Sequence, residues 1–183
     1  EEKALEAIFR RTYGDQKPSA FTPQSEVRHQ DAPKLLNAEI GDTFLLVDGY
    51  NIIFAWDELN KLAKVDLDAA RNQLIHILSN YQGVRRCKVI LVFDAYKVPY
   101  GVGSAEQHFG VQVIYTKEEE PADILIGKMV DEAKGTRSIR VISSDALVQQ
   151  NALGHGADRY SSREFLEKLE AAEKEIREVL EEL

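Results

Sequence analysis

The sequence has a single cysteine, Cys87, so no disulfide can close within the chain. No stretch nears the ~18 consecutive apolar residues of a membrane-spanning helix, which excludes a helical span. A basic balance is also missing: 23 Lys and Arg stand against 31 Asp and Glu, a net charge of −8. That excludes a generic basic coat for nucleic acid. No GxxxxGK[ST] phosphate loop is present. Gly101-Val102-Gly103-Ser104 lacks the third glycine of a dinucleotide fingerprint, and no Gly-x-Ser-x-Gly elbow occurs. The four histidines (His29, His76, His108 and His155) share no metal-ligand spacing. Cys87 precedes a strand without a partner motif and reads as buried packing. The one methionine is Met129, so residue 1 is no initiator, and Glu1-Glu2-Lys3 does not look like a signal-peptidase site. The expectation is a cytoplasmic piece of a longer polypeptide, with no membrane partner.

What is present fits a globular domain with an arm. Of 183 residues, 44% are hydrophobic and 30% charged, enough to bury a core without staples. Residues 1–13 read as a short amphipathic helix from a preceding domain or arm, with Leu5, Ile8 and Phe9 at helical spacing. Residues 14–41 lack periodicity and carry Pro18, Pro23 and Pro33, the composition of an extended, mobile linker. Residues 42–183 form the main domain.

In that domain apolar runs alternate with helical patterns. Phe44–Val47, Lys88–Phe93, Val111–Thr116 and Ile139–Ile142 read as strands, with Ala157–Tyr160 as a fifth. Leu67–Tyr81, with Gly83 as its stop, Pro121–Lys134 and Ala146–Leu153 read as helices. This alternation implies an α/β fold with a mainly parallel sheet of four to five strands. Solid apolar runs agree, because such strands are covered on both faces. The charged helix over 161–183 is expected to pack on its own domain; pairing with another helix is the alternative.

Ligands of such a sheet bind beyond the carboxyl ends of its strands. Asp48, Asp94 and Asp145 each follow a strand, and Asp123 opens the helix after the third. Singly, each suits a cap or a turn. Together they place four carboxylates at one edge, where mutual repulsion calls for cations. Hard oxygen ligands select Mg²⁺ or Mn²⁺, which assist phosphodiester hydrolysis. Asn51, Ser143 and Ser144 lie at the same edge as candidate contacts to substrate or to a metal water; each also suits a capping role. Tyr50, Phe54, Trp56, Tyr96, Tyr100 and Tyr115 crowd the expected mouth, most of them as packing, one or two as base-stacking platforms. The basic residues Lys97, Lys117, Arg159 and Arg163 are scattered, so the intrinsic grip on RNA is expected to be weak.

Val47-Asp48-Gly49-Tyr50-Asn51, Val92-Phe93-Asp94-Ala95, Tyr115-Thr116-Lys117 with Ala122-Asp123, Ser143-Ser144-Asp145, and Gly156-Ala157 before Ser161 resemble the NYN domain of the YacP type, among the PIN-like nucleases. The resemblance covers residues 43–170. It implies a PIN-like three-layer α/β/α fold and a Mg²⁺- or Mn²⁺-dependent ribonuclease. The catalytic and metal-binding set would be Asp48, Asp94, Asp123 and Asp145, with substrate contacts at Asn51, Ser143, Ser144 and Lys117. The family is similar to a bacterial endoribonuclease that cuts mRNA on translating ribosomes. The chain departs from the family where Gly127 replaces a second acid one helical turn past Asp123, which bears on a second metal and on activity. Glu2 to Gly14 (EKALEAIFRRTYG) further resembles the C-terminal end of elongation-factor-G-like, tetracycline-resistance-type translation GTPases, which would tether the domain at the ribosome. Competing readings are a non-catalytic RNA- or ribosome-binding module and a phospho-accepting α/β domain.

Overall fold

The computed structural model describes residues 27–28, 43–94, 103–133 and 138–182. The expected arm over 1–13 lies outside them. The elements are β1 (Val27–Arg28), β2 (Thr43–Asp48), α1 (Gly49–Ala55), α2 (Asp57–Val65), α3 (Leu67–Arg85), β3 (Lys88–Phe93), β4 (Ser104–His108), β5 (Val111–Tyr115), α4 (Ala122–Glu132), β6 (Ser138–Ile142), α5 (Ala146–Gly154), β7 (Asp158–Tyr160) and α6 (Ser162–Glu181).

The strands join one sheet in the order β1-β4-β5-β3-β2-β6-β7. The five strands expected from the sequence are its parallel part, β5-β3-β2-β6-β7. Two antiparallel strands extend it. β4 pairs with β5, and β1 pairs with β4 through Val27 and Arg28. β1 lies within the expected linker over 14–41, of which only these two residues are described. β4 itself escapes sequence reading because it buries only Ala105 and carries no apolar run.

Alternation along β2 and β3 divides the core into two layers. Leu45, Val47, Val89, Leu91 and Phe93 face α1, α2, α3 and α6. Phe44, Leu46, Ile90 and Val92 face α4 and α5. The molecule is therefore a three-layer α/β/α sandwich, as expected.

Asp48 leads straight into a helix, since Gly49 is the first residue of α1. A Cβ on Gly49 would stand 2.4 Å from Phe93 Cε1 and 3.0 Å from the Val92 carbonyl, so only glycine lets the helix start this close to β3. Gly83 does not stop α3. The helix runs on to Arg85 and ends at Arg86, which is left-handed with φ 49°. In α6, Phe165, Leu169 and Ala172 are buried while Val179 and Leu180 are exposed. Its first turns pack on the domain, and its last ones stand in solvent.

Candidate active site

The chain runs outward from β2 through β3 to β5, then crosses back to β6 and β7. The order reverses between β2 and β6, and beyond the carboxyl ends of those strands lies the natural ligand crevice. Asp48 ends β2. Ser143, Ser144 and Asp145 follow β6.

Asp48 is buried, 9% exposed. Its carboxyl is raised from 3.8 to about 6, chiefly by burial and further by the negative charges of Asp94 and Asp145. Hydrogen bonds from the Ser143 hydroxyl and the Asn51 backbone N–H pull the other way. Asp48, Asp94 and Asp145 therefore share one electrostatic site. Two of these acids also hold helix starts. Asp94 Oδ1 accepts from Ala122 N–H at 2.7 Å, fixing α4. Asp145 Oδ1 accepts from Leu147 N–H at 2.8 Å and Val148 N–H at 3.4 Å, capping α5. Asp123 lies in the first turn of α4 and lines the cleft between α4 and α5.

The serines and Asn51 form a lock around this centre. Ser143 is fully buried. Its hydroxyl donates to Asp48 Oδ2 at 3.0 Å and accepts from Asp145 N–H at 3.1 Å, so it orients carboxylates and has no face toward a ligand. Asn51 sits inside α1, and its Oδ1 accepts from Ser144 N–H at 2.7 Å and from the Ser162 hydroxyl at 3.0 Å. A backbone N–H only donates, so the amide orientation is fixed and Nδ2 turns away from the lock. Ser144 Oγ donates to Ser162 Oγ at 2.9 Å and accepts from Ser162 N–H at 3.0 Å. Trp56 Nε1 donates to the Ser162 carbonyl at 2.8 Å. Ser162 is a member the sequence reading missed. Its neighbour Ser161, which with Glu164 forms the capping box of α6, was the only local signal.

The remaining candidates divide. Tyr50 and Trp56 are buried packing, and the Tyr50 hydroxyl accepts from Arg71 Nη1 at 2.8 Å. Phe54 is exposed and stacks on Tyr50. Tyr115 is half-buried, with its hydroxyl pushed up to about 12, mainly by burial and then by Glu106. Lys117 is exposed just past β5 and makes no ion pair among the described residues. Arg159 donates to Gln149 at 2.9 Å, and Arg163 lies 3.8 Å from Glu167. Cys87 is buried, as expected. Tyr96, Lys97, Tyr100 and His29 lie outside the described residues.

The donor chemistry suits a hard divalent cation. It offers carboxylate oxygens, and the charge that burial penalises at Asp48 is the charge a cation would relieve. Among the described residues, no three His, Cys, Asp or Glu side chains are already gathered as a ligand set. Likewise, no described helix is long and apolar enough to cross a membrane.

The YacP-like NYN domain matches residues 45–183. The chain belongs to this family. It is 40% identical over 133 residues to "Uncharacterized protein YacP" of Bacillus subtilis (strain 168), covering 72% of this chain and 78% of that protein. The crystal structure of Rae1 (YacP) from Bacillus subtilis superposes with a TM-score of 0.63 at 36% identity, over 76% of this chain and 80% of that one. A tryptophan-to-leucine variant of Rae1 gives the same TM-score at 38% identity, over 74% and 79%. The family places a nuclease-type fold here, since NYN domains are generally nucleases, and PIN-like members typically use divalent metals.

Proposed function

We propose that this YacP-like NYN domain is a Mg²⁺- or Mn²⁺-dependent endoribonuclease. The observation that carries the reading is Asp48: a buried carboxyl raised to about 6 beside Asp94 and Asp145, at the point where the sheet order reverses. Asp48, Asp94 and Asp145 hold the ion, with Asp123 at the edge of the set. When bound, Mg²⁺ or Mn²⁺ supplies polarisation of the phosphoryl oxygen and a more acidic water. Ser143 keeps Asp48 and the Asp145 backbone in register. Asn51 Nδ2 and the Lys117 ammonium donate to the phosphates that flank the cut. The substrate is a single strand of mRNA at the ribosome, in the cytoplasm. The opening segment's likeness to a translation GTPase supports a tether that brings the domain there, which suits a site with few cations around it.

The test is cleavage of a labelled single-stranded RNA in Mn²⁺, beside Asp94→Asn, with and without ribosomes. Cleavage that survives in Asp94→Asn would sink the assignment. A second reading, an RNA- or ribosome-binding module without turnover, is favoured by two observations: Asp94 and Asp145 already serve helix starts, and no ligand set is gathered among the described residues. RNA bound in Mn²⁺ without turnover would establish it.

A further inference from the structure

A cleft of about 390 Å³ runs between α4 and α5, within the range of small-ligand pockets, about 300–1,000 Å³. Of the four candidate acids, Asp123 lines it. Its two walls start at Ala122 and Leu147, whose N–H groups are held by Asp94 and Asp145. Ile124 projects from one wall and Leu147 from the other, 48% and 72% exposed. Val148 is buried beneath them. The side-chain amides of Gln150 and Asn151 line the cleft and make no hydrogen bond among the described residues. Gly127 belongs to this arrangement, because a Cβ there would stand 2.7 Å from Asn151 Nδ2.

These features describe a particular occupant. Two exposed apolar side chains, one on each wall, suit a flat apolar face. Two idle amides, each with donor and acceptor, suit a polar edge. Among the described residues no basic side chain lines the cleft and Asp123 stands in its wall, which disfavours a phosphate. We propose that the cleft seats one nucleobase of the RNA strand, beside the phosphate held at the acidic centre. The proposal rests on the ribonuclease reading and deepens it. Ile124 and Leu147 pack on the two faces of the base, and Gln150 and Asn151 meet its edge. Gly127 keeps room for Asn151.

The experiment is an abasic scan. Short labelled RNAs, each lacking one base, are bound to the full chain in Ca²⁺ and followed by anisotropy, then cleaved in Mn²⁺. The same series is run on Leu147→Ser and Ile124→Ser, both at exposed positions. One abasic position is expected to weaken binding to the native chain about three- to tenfold, somewhat below aromatic base stacking. Each variant should weaken the intact RNA similarly, and the variant with that abasic RNA should lose nothing more. Their kcat should stay native while KM rises. Variants that bind every RNA as the native chain does, or losses that simply add, would overturn the subsite. Cleavage without this binding pattern removes the subsite and leaves the nuclease. The binding pattern without cleavage keeps the subsite and removes the nuclease. No RNA binding by the native chain removes the subsite.

Discussion

The Ser143 hydroxyl donates to Asp48 Oδ2 at 3.0 Å, joining the ends of β2 and β6 where the sheet order reverses. That bond favours the ionised form of a carboxyl that burial disfavours. Replacing Ser143 with Ala removes it and leaves Asp48 harder to ionise. The acid limb of the pH–rate profile for RNA cleavage in Mn²⁺ should move to higher pH in Ser143→Ala. An unmoved limb would mean that Asp48 does not set it.

Asp48 also predicts a pH dependence of stability without metal. Its carboxyl takes the ordinary 3.8 when unfolded and about 6 when folded. Below 3.8 both states hold the proton. Between the two values only the folded state does, so stability falls as pH rises. Above 6 the cost is complete, about 2–3 kcal/mol. In EDTA, Asp48→Asn should unfold at higher urea than the native chain at pH 7, and the gap should close toward pH 4. RNA cleavage should be lost in the same variant.

Asn51 separates scaffold from contact. Asn51→Asp keeps an oxygen for Ser144 N–H and the Ser162 hydroxyl but loses the Nδ2 donor and adds a charge. It should melt within a few degrees of the native chain and fail to cleave RNA. Asn51→Ala breaks the lock itself and should cost about 1–2 kcal/mol in urea unfolding.

Gly49→Ala tests how closely α1 must approach β3. Alanine favours helix, but its Cβ would meet the Phe93 ring at 2.4 Å and the Val92 carbonyl at 3.0 Å. The collision should win and destabilise the fold by about 1–3 kcal/mol, read as a lower urea midpoint.

Gly127→Ala should go the other way. Here the Cβ meets only the end of the exposed Asn151 side chain, which can swing aside. Alanine within α4 should then raise stability by about 0.5–1 kcal/mol. Moving Asn151 should raise KM for RNA if a base sits beside it.

The five parallel strands and the helices α3 to α6 were legible because solid apolar runs and 3.6-residue spacing are local signals. The carboxylates at strand ends were legible for the same reason: Asp48 and Asp94 directly follow buried runs. β1 and β4 were not: β1 is two residues long and β4 buries only Ala105, so each takes its place from pairing with a neighbour. Nor was the end of α3, where Arg86 rather than Gly83 turns left-handed.

The sequence by itself therefore determined the layers, the parallel sheet and the edge on which the acids collect, since periodicity and strand ends are written locally. Only the tertiary structure decided what each polar side chain does there. Ser143 and Asp48 are 95 residues apart, and Asn51 and Ser162 are 111 apart. No local pattern encodes those partners. They meet because the crossover from β5 to β6 lays the end of β6 beside the end of β2, and α6 returns the buried Ser162 of its first turn to the same seam.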